Sequence, residues 1–160
     1  MSTMALRSSF LRSALRLLSL LPLALITAVP VVADSHVRIV RLSYVDGTIE
    51  IDKADGRGFS TAYLNMPVVH GSKVWARDGQ AEVELEDGSS IRLTPDTIVA
   101  FNDLSLSNNG DRNTSVELQQ GTAYFDVRDH DADHFELQFG RLRVTLQKSA
   151  RFRIDAEVHN

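Results

Sequence analysis

Residues 81–93 constrain the fold more than any other segment, because they specify a β-hairpin together with its register. Apolar and acidic side chains alternate in the first half, as Ala81, Glu82, Val83, Glu84, Leu85 and Glu86. This two-residue period is typical of a strand with one buried and one solvated face. A three-residue loop ending at Gly88 pairs Val83 with Ile91, whereas a two-residue turn would set apolar side chains opposite polar ones. We therefore predict the three-residue loop, which also sets Glu82 opposite Arg92.

Three further segments repeat this plan of alternating strands around a glycine. The expected turns contain Gly47, Gly121 and Gly140. Two-residue turns there predict three apolar pairs, which are Leu42 with Ile51, Leu118 with Ala123, and Leu137 with Leu142. Each hairpin has a single apolar face, and an isolated hairpin is marginally stable at best, so the four must share a core. The predicted fold is all-β, a sandwich or roll of repeated antiparallel hairpins.

The first 33 residues have the features of a secretory signal peptide. Three arginines precede every acidic residue of the chain, namely Arg7, Arg12 and Arg16. Residues 17–33 are almost wholly apolar and are followed by the first acidic residue, Asp34. Basic, apolar and small-residue regions in this order predict cleavage after Ala33. The alternative is an uncleaved anchor, which we disfavour because a span needs about 20 apolar residues and this run is shorter and contains two prolines.

The predicted mature domain, residues 34–160, is acidic and free of cysteine. Removing three of the 17 basic residues leaves 127 residues with 14 basic and 21 acidic side chains, a net charge of −7. This balance argues against nucleic acid as a partner, and we expect membrane contact only if the N-terminal segment is not cleaved. The absence of cysteine excludes disulfides, a thiol nucleophile and thiolate metal ligands. Export without disulfides suits a bacterial periplasm.

Turn and core residues follow a characteristic order between residues 45 and 154. The series comprises Pro67, Gly71, Val74-Trp75, Gly79, the pattern A-x-V-x-L-x-D-G-S-x-I-x-L at 81–93, Pro95-Asp96-Thr97, and Val116, Leu118, Gly121, Ala123, Phe125 and Val127. This order resembles the FecR domain of bacterial envelope proteins. The A-x-x-N-x-P pattern at Ala62, Asn65 and Pro67 is similar to a subset of exported FecR-like proteins. The resemblance implies an exported β-domain that binds another protein or an envelope component.

The best-known proteins of that family have an additional N-terminal region. They sit in the cytoplasmic membrane, receive a signal from an outer-membrane siderophore receptor, and control a sigma factor through a cytoplasmic segment. Here only 16 residues precede the apolar run, too few for a packed cytoplasmic domain. We therefore expect the binding role of the exported domain and not the sigma-factor role.

The sequence contains no pattern that marks an active site. A Gly-x-Ser-x-Gly elbow, a phosphate-cradling loop and a dinucleotide fingerprint are all absent from the sequence. One dense polar run offers imidazoles and carboxylates that suit a divalent metal, at Asp129, His130, Asp131, Asp133 and His134. A solvated turn is the simpler interpretation, because no predicted helix brings His130 and His134 together. We assign no catalytic, cofactor-binding or metal-binding residue.

Four arginines form the one suggestive constellation. They alternate with apolar residues on the two closing strands, at Arg141, Arg143, Arg151 and Arg153. If those strands are neighbours, the guanidinium groups form a basic stripe that an anionic partner would recognise. Cross-strand pairing, such as Glu136 with Arg143, is the simpler interpretation and the one we favour. Trp75, the only tryptophan, is assigned to the core.

The sequence thus predicts a periplasmic, non-enzymatic sensing or protein-interaction module, with no cofactor. Its expected partner is an envelope protein or a cell-wall component. Two alternatives remain. One is a membrane-anchored regulator of envelope signalling that keeps the N-terminal segment, and the other is a metal-dependent envelope hydrolase that uses the loop from Asp129 to His134.

Overall fold

A computed structural model describes residues 38–128 and 133–156 and contains eleven β-strands. The strands are β1 Arg41–Asp46, β2 Ile49–Asp52, β3 Phe59–Thr61, β4 Lys73–Ala76, β5 Gln80–Glu84, β6 Ser90–Leu93, β7 Thr97–Leu106, β8 Arg112–Val127, β9 His134–Phe139, β10 Leu142–Leu146 and β11 Ala150–Ala156. Across the described ranges, no helix is long and apolar enough to span a membrane. The signal peptide predicted at residues 1–33 lies outside these ranges, so the division at residue 33 stays a prediction.

The strands form two sheets that share β8. Sheet A has the order β1-β5-β6-β8-β11, and sheet B has the order β3-β2-β4-β7-β8-β9-β10. The first half of β8 pairs with β7 and β9, and its second half pairs with β6 and β11. All pairings are antiparallel except that of β8 with β9. The predicted all-β fold of antiparallel strands is confirmed, and its form is a roll rather than a series of hairpins.

The central hairpin has the predicted register. β5 and β6 pair Val83 with Ile91 and Glu82 with Arg92. The amide of Gly88 donates to the carbonyl of Leu85 over 2.9 Å, and Gly88 has a φ of +80°. Glycine occupies this left-handed region without the steric penalty that a Cβ would bring. Alternation and turn chemistry are both local signals, and together they were sufficient to predict the register of this hairpin.

The predicted hairpin around Gly47 is wrong. β1 joins β5 in sheet A, whereas β2 joins β3 and β4 in sheet B. The chain crosses between sheets at Gly47 and crosses back at Gly79, and the two crossings are in contact. A Cβ on Gly79 would lie 2.0 Å from the carbonyl oxygen of Asp46. This close approach of two distant segments requires glycine for a reason other than a hairpin turn.

The hairpin predicted around Gly121 is also wrong, because β8 continues through this residue. Gly121 has a φ of +82°, and a Cβ there would lie 2.5 Å from the carbonyl oxygen of Asp96. Thr97 packs against the bend, where its hydroxyl accepts a hydrogen bond from the Thr122 amide over 3.0 Å. The glycine therefore lets one long strand bend from sheet B into sheet A.

The last predicted hairpin exists, but its register is displaced. The turn contains Gly140 and Arg141, so that Leu137 pairs with Val144 instead of Leu142. A displacement of two residues keeps every side chain on its predicted face, because the side-chain period of a strand is two. The error therefore changes the pairs without changing which residues share a face. Leu142 and Val144 on β10 are nevertheless exposed.

One hydrophobic core lies between the sheets. Phe101 from sheet B and Phe125 from sheet A are fully buried, and burial of each stabilises the fold by about 1.5–3 kcal/mol. Residues 65–68 cover the outer edge of β1, where the Leu42 amide donates to the Met66 carbonyl over 3.0 Å. This hydrogen bond pairs backbone groups that would otherwise be exposed at the edge of the sheet.

An ion pair between a buried arginine and a partly exposed glutamate lies just before β1. The side chain of Arg38 is 2% exposed, and its Nε contacts Glu86 Oε1 at 2.5 Å. Its Nη1 also donates to the Thr114 hydroxyl and to the Asn113 carbonyl, over 2.7 and 2.6 Å. A guanidinium buried to this extent is tolerated only with such partners. The pair therefore ties β1 to the loop of the central hairpin and to β8.

Candidate interaction surface

Two adjacent rows of polar and aromatic side chains cross the outer face of sheet A. The first row contains Tyr44, Glu82, Arg92, Tyr124 and Arg153, and the second contains Arg41, Glu84, Ser90, Asp126 and Arg151. Each row takes one residue from each of the five strands of the sheet. Because alternate residues of paired strands face the same side, the registers alone bring these side chains together.

A groove of about 790 Å³ lies on this face. All five strands of sheet A contribute to its lining, including Tyr44, Glu82, Arg92, Tyr124 and Arg151. Its volume falls within the range of about 300–1,000 Å³ that is usual for ligand sites. We call this feature the sheet A groove.

The charged side chains in the sheet A groove form ion pairs with one another. Arg92 contacts Glu82 through Nε, and Arg151 contacts Asp126 at 2.5 Å. Partial burial raises the pKa of Glu82, but hydrogen bonds from Arg92 and Ser43 lower it further, so the net shift is downward. The two carboxylates and two guanidinium groups of the lining cancel, and the groove carries no net charge.

Two exposed tyrosines stand in the same row of the groove. Tyr44 is 49% exposed and Tyr124 is 44% exposed. The guanidinium of Arg153 lies 5.7 Å from the centre of the Tyr124 ring. Arg153 is itself held by Asp155 at 2.7 Å, and hydrogen bonds from Thr122 and Arg153 lower the pKa of that carboxyl. These contacts fix the Tyr124 side of the groove.

The four arginines predicted as an interaction surface fall into two groups. Arg151 and Arg153 lie on β11 in sheet A, where Arg151 lines the groove. Arg143 lies on β10 in sheet B, and Arg141 lies in the turn before that strand. β10 pairs with β9 and β11 pairs with β8, so the two strands are not neighbours and no single stripe forms.

Cross-strand pairing, the interpretation favoured from the sequence, accounts for several of these arginines. Arg143 contacts Glu136 at 3.5 Å, although its register partner is Gln138. Arg151 contacts Asp126, its register partner on β8. That these four arginines contact a partner stays a prediction.

Trp75 lies outside the core, contrary to the sequence-based assignment. Its neighbours Val74 and Ala76 face inward and are fully buried, so alternation directs Trp75 to the outer face of sheet B. The guanidinium of Arg77 stacks 3.5 Å from the centre of the indole ring, and Phe59 packs edge-on at 5.5 Å. These two side chains cover the indole, which explains its partial burial at a surface position.

The candidate metal loop is only partly described. Asp129, His130 and Asp131 lie outside the described residues. Asp133 accepts hydrogen bonds from the amide and the Nε of Arg112, over 2.9 and 2.8 Å, and His134 begins β9. The described ranges contain no group of three His, Cys, Asp or Glu side chains suited to a metal ion. The metal-dependent alternative therefore stays untested.

Sequence reasoning found part of the groove and missed the rest. It placed Glu82 opposite Arg92, because both belong to one hairpin. It missed Tyr44 and Tyr124, because their positions depend on the pairing of β1 with β5 and of β6 with β8. Alternation predicted that Tyr124 faces outward, whereas the hairpin predicted around Gly47 placed Tyr44 opposite Ile49 on its apolar face. Tyr44 faces outward because the register of β1 shifts between Leu42 and Tyr44.

The fold and the groove together define an all-β domain with a ligand-sized surface groove. Comparison with protein families gives a match to the FecR family, described as FecR protein, over residues 72–160. This match covers more than half of the chain, and the protein belongs to the FecR family. Comparisons with curated proteins and with solved structures gave no match. Membership agrees with the resemblance seen in the sequence and is consistent with a signalling or sensing module.

Proposed function

We propose that this protein is an exported, non-enzymatic sensing or interaction module of the bacterial envelope, located in the periplasm. The sheet A groove is its recognition surface, and an envelope protein or a cell-wall component is its partner. The observation that carries the proposal is a ligand-sized groove, lined by paired charges and exposed tyrosines, on a sheet of five paired strands. Family membership supports the sensing role, and the basic, apolar and small-residue order of residues 1–33 supports export.

The electrostatics of the groove favour recognition over reaction. A general acid or base works best with a pKa near the working pH. The pKa of Glu82 is shifted in the opposite direction, because Arg92 and Ser43 stabilise its ionised form. The Asp126 carboxylate forms an ion pair with Arg151 at 2.5 Å. Paired groups of this kind give a fixed pattern of charge and hydrogen bonds, which a partner can match.

Of the four predicted arginines, Arg151 and Arg153 belong to this recognition surface. Their guanidinium groups stand beside the groove on the edge strand β11, where a bound partner would meet them. Arg141 and Arg143 are on the β9–β10 hairpin of sheet B and would form a separate contact.

Photocrosslinking in intact cells tests the proposal. p-Benzoylphenylalanine in place of Tyr44 puts the reactive group in the groove, and the same residue in place of Asn102 puts it on the outer face of sheet B. We expect the Tyr44 position to capture a defined envelope component that the Asn102 position does not capture. Equal capture by the two positions, or capture only from Asn102, would rule out the groove as the recognition surface.

N-terminal sequencing of the exported protein distinguishes this proposal from the membrane-anchored alternative. A chain that begins at Asp34 has lost the apolar segment and is a free periplasmic protein. A chain that retains residues 17–33 is the anchored regulator.

A further inference from the structure

The sheet A groove has the wrong electrostatics for a charged ligand. Its two carboxylates and two guanidinium groups are paired with each other at hydrogen-bonding distance. A charged ligand would have to displace one partner of a pair, and the attraction gained would be offset by the attraction lost. The groove therefore suits a ligand that is itself neutral.

Polar groups that are free to bind such a ligand lie between the ion pairs. In the described part of the chain, the side chains of Gln80, Ser90 and Tyr44 have no hydrogen-bond partner within the protein, and all three line the groove. An amide and two hydroxyl groups each donate and accept, so they match a ligand rich in hydroxyl groups.

The two tyrosines add apolar surface at a defined spacing. Tyr44 on β1 and Tyr124 on β8 share a row and are separated by β5 and β6. Three strand spacings place them about 14 Å apart. An exposed tyrosine offers a flat apolar ring and a polar hydroxyl, and a sugar offers an apolar ring face and polar edges. Several small β-folds bind oligosaccharides on such surfaces.

A peptide is the less suitable occupant. Extended peptides are usually bound by adding a strand to an open sheet edge. The strands in the floor of the groove, β5, β6 and β8, have neighbours on both sides within sheet A. The edge of β1 is covered by residues 65–68, and the open edge of the sheet, on β11, lies at the side of the groove and not in its floor. The floor of the groove thus presents side chains and not free backbone groups.

We propose that the sheet A groove binds a neutral oligosaccharide, with Tyr44 and Tyr124 as the two ring platforms. The inference rests on the proposed function in taking the same groove as the recognition surface, and it narrows the partner to a glycan. Gln80 and Ser90 would bind sugar hydroxyls between the two tyrosines.

Isothermal titration calorimetry of the purified protein tests this assignment. The probes are neutral hexasaccharides, namely cellohexaose, maltohexaose and the β-1,4-linked hexamer of N-acetylglucosamine. We expect at least one to bind with a Kd of about 1 mM or tighter. Tyr44→Ala and Tyr124→Ala should each weaken that binding by about tenfold or more. Tyr63→Ala is the matched control, because Tyr63 is 63% exposed and does not line the groove, and it should leave the affinity unchanged.

Salt dependence provides a second readout. Binding of a neutral ligand should be the same at about 0.05 M and 0.5 M NaCl, whereas attraction of a charged ligand would be screened. The proposal is overturned if no hexasaccharide binds, if Tyr44→Ala and Tyr124→Ala bind as tightly as the wild type, or if a synthetic extended octapeptide binds in the groove instead. Failure of the glycan with continued capture of a protein from Tyr44 in cells would remove the glycan assignment and leave the proposed function standing.

Discussion

Replacing Gly121 with alanine tests the bend that joins the two sheets. Gly121 has a φ of +82°, and an L-residue in the left-handed region costs about 1–2 kcal/mol. The new Cβ would also lie 2.5 Å from the Asp96 carbonyl oxygen and 2.7 Å from the Thr97 Cα. Backbone atoms cannot rotate away, so we add about 1–3 kcal/mol for overpacking. Gly121→Ala should therefore destabilise the fold by about 2–5 kcal/mol, a large part of a typical total of about 5–15 kcal/mol.

Gly140→Ala is the matched control. Gly140 also has a positive φ, of +56°, but a Cβ there would meet nothing within 4 Å. Only the conformational cost remains, about 1–2 kcal/mol. Urea unfolding followed by the fluorescence of Trp75 measures both variants, with the free energy of unfolding extrapolated linearly to water. If Gly121→Ala destabilises the protein no more than Gly140→Ala does, Gly121 is an open hairpin turn and the continuous β8 is wrong.

Two ion pairs give further predictions. Glu86→Ala should destabilise the fold by about 1–3 kcal/mol in urea unfolding, because it leaves the buried guanidinium of Arg38 without its carboxylate. Arg38→Met removes the buried charge itself, so it should destabilise the fold less than Glu86→Ala does. A larger loss of stability for Arg38→Met would contradict the pairing of a buried guanidinium with Glu86. Glu82→Gln should cost up to about 1 kcal/mol at pH 7, because it loses the charge attraction to Arg92. The folded-state pKa of Glu82 is lowered from 4.5, so this contribution is present above pH 4.5 and lost as the pH falls through the lowered pKa. If the difference in the free energy of unfolding between wild type and Glu82→Gln is undiminished at about pH 2, the pair with Arg92 is not its source.

The parts of the fold that depend on neighbouring residues were predictable. In residues 81–93 the alternation, the turn glycine and the register all lie within one hairpin, and each limits the others. Gly47 and Gly121 gave the same local signal, but they serve a crossing between sheets and a bend. A glycine with positive φ is compatible with all three roles. Only the contacts with Gly79 and Thr97, which are distant in sequence, distinguish them.

For the groove, too, only the contacts within a single hairpin were predictable. The pair of Glu82 and Arg92 follows from one hairpin, whereas the row from Tyr44 to Tyr124 requires four strands in the correct order. The order of sheet A is set by long-range pairing, which alternation alone does not specify. Trp75 shows the converse error, because an aromatic residue was assigned to the core by type although its position in the alternation directs it outward.

The groove extends beyond the part of the chain that matches the FecR family. The match begins at residue 72, whereas β1, which carries Tyr44, ends at Asp46. β1 pairs with β5 inside the matched region and completes sheet A. One wall of the groove is thus contributed by residues outside the family match.

Mapping a bound partner on the protein surface tests the proposed recognition role most directly. The component captured from Tyr44 in cells would be added to purified ¹⁵N-labelled protein, and backbone amide shifts would be followed by NMR. We predict that the changes are concentrated on the outward residues of sheet A, with Glu82, Ser90 and Tyr124 among the largest, and that the Trp75 indole signal is unmoved. Changes concentrated around Trp75 and Asn102 on sheet B would contradict the assignment of the sheet A groove as the recognition surface.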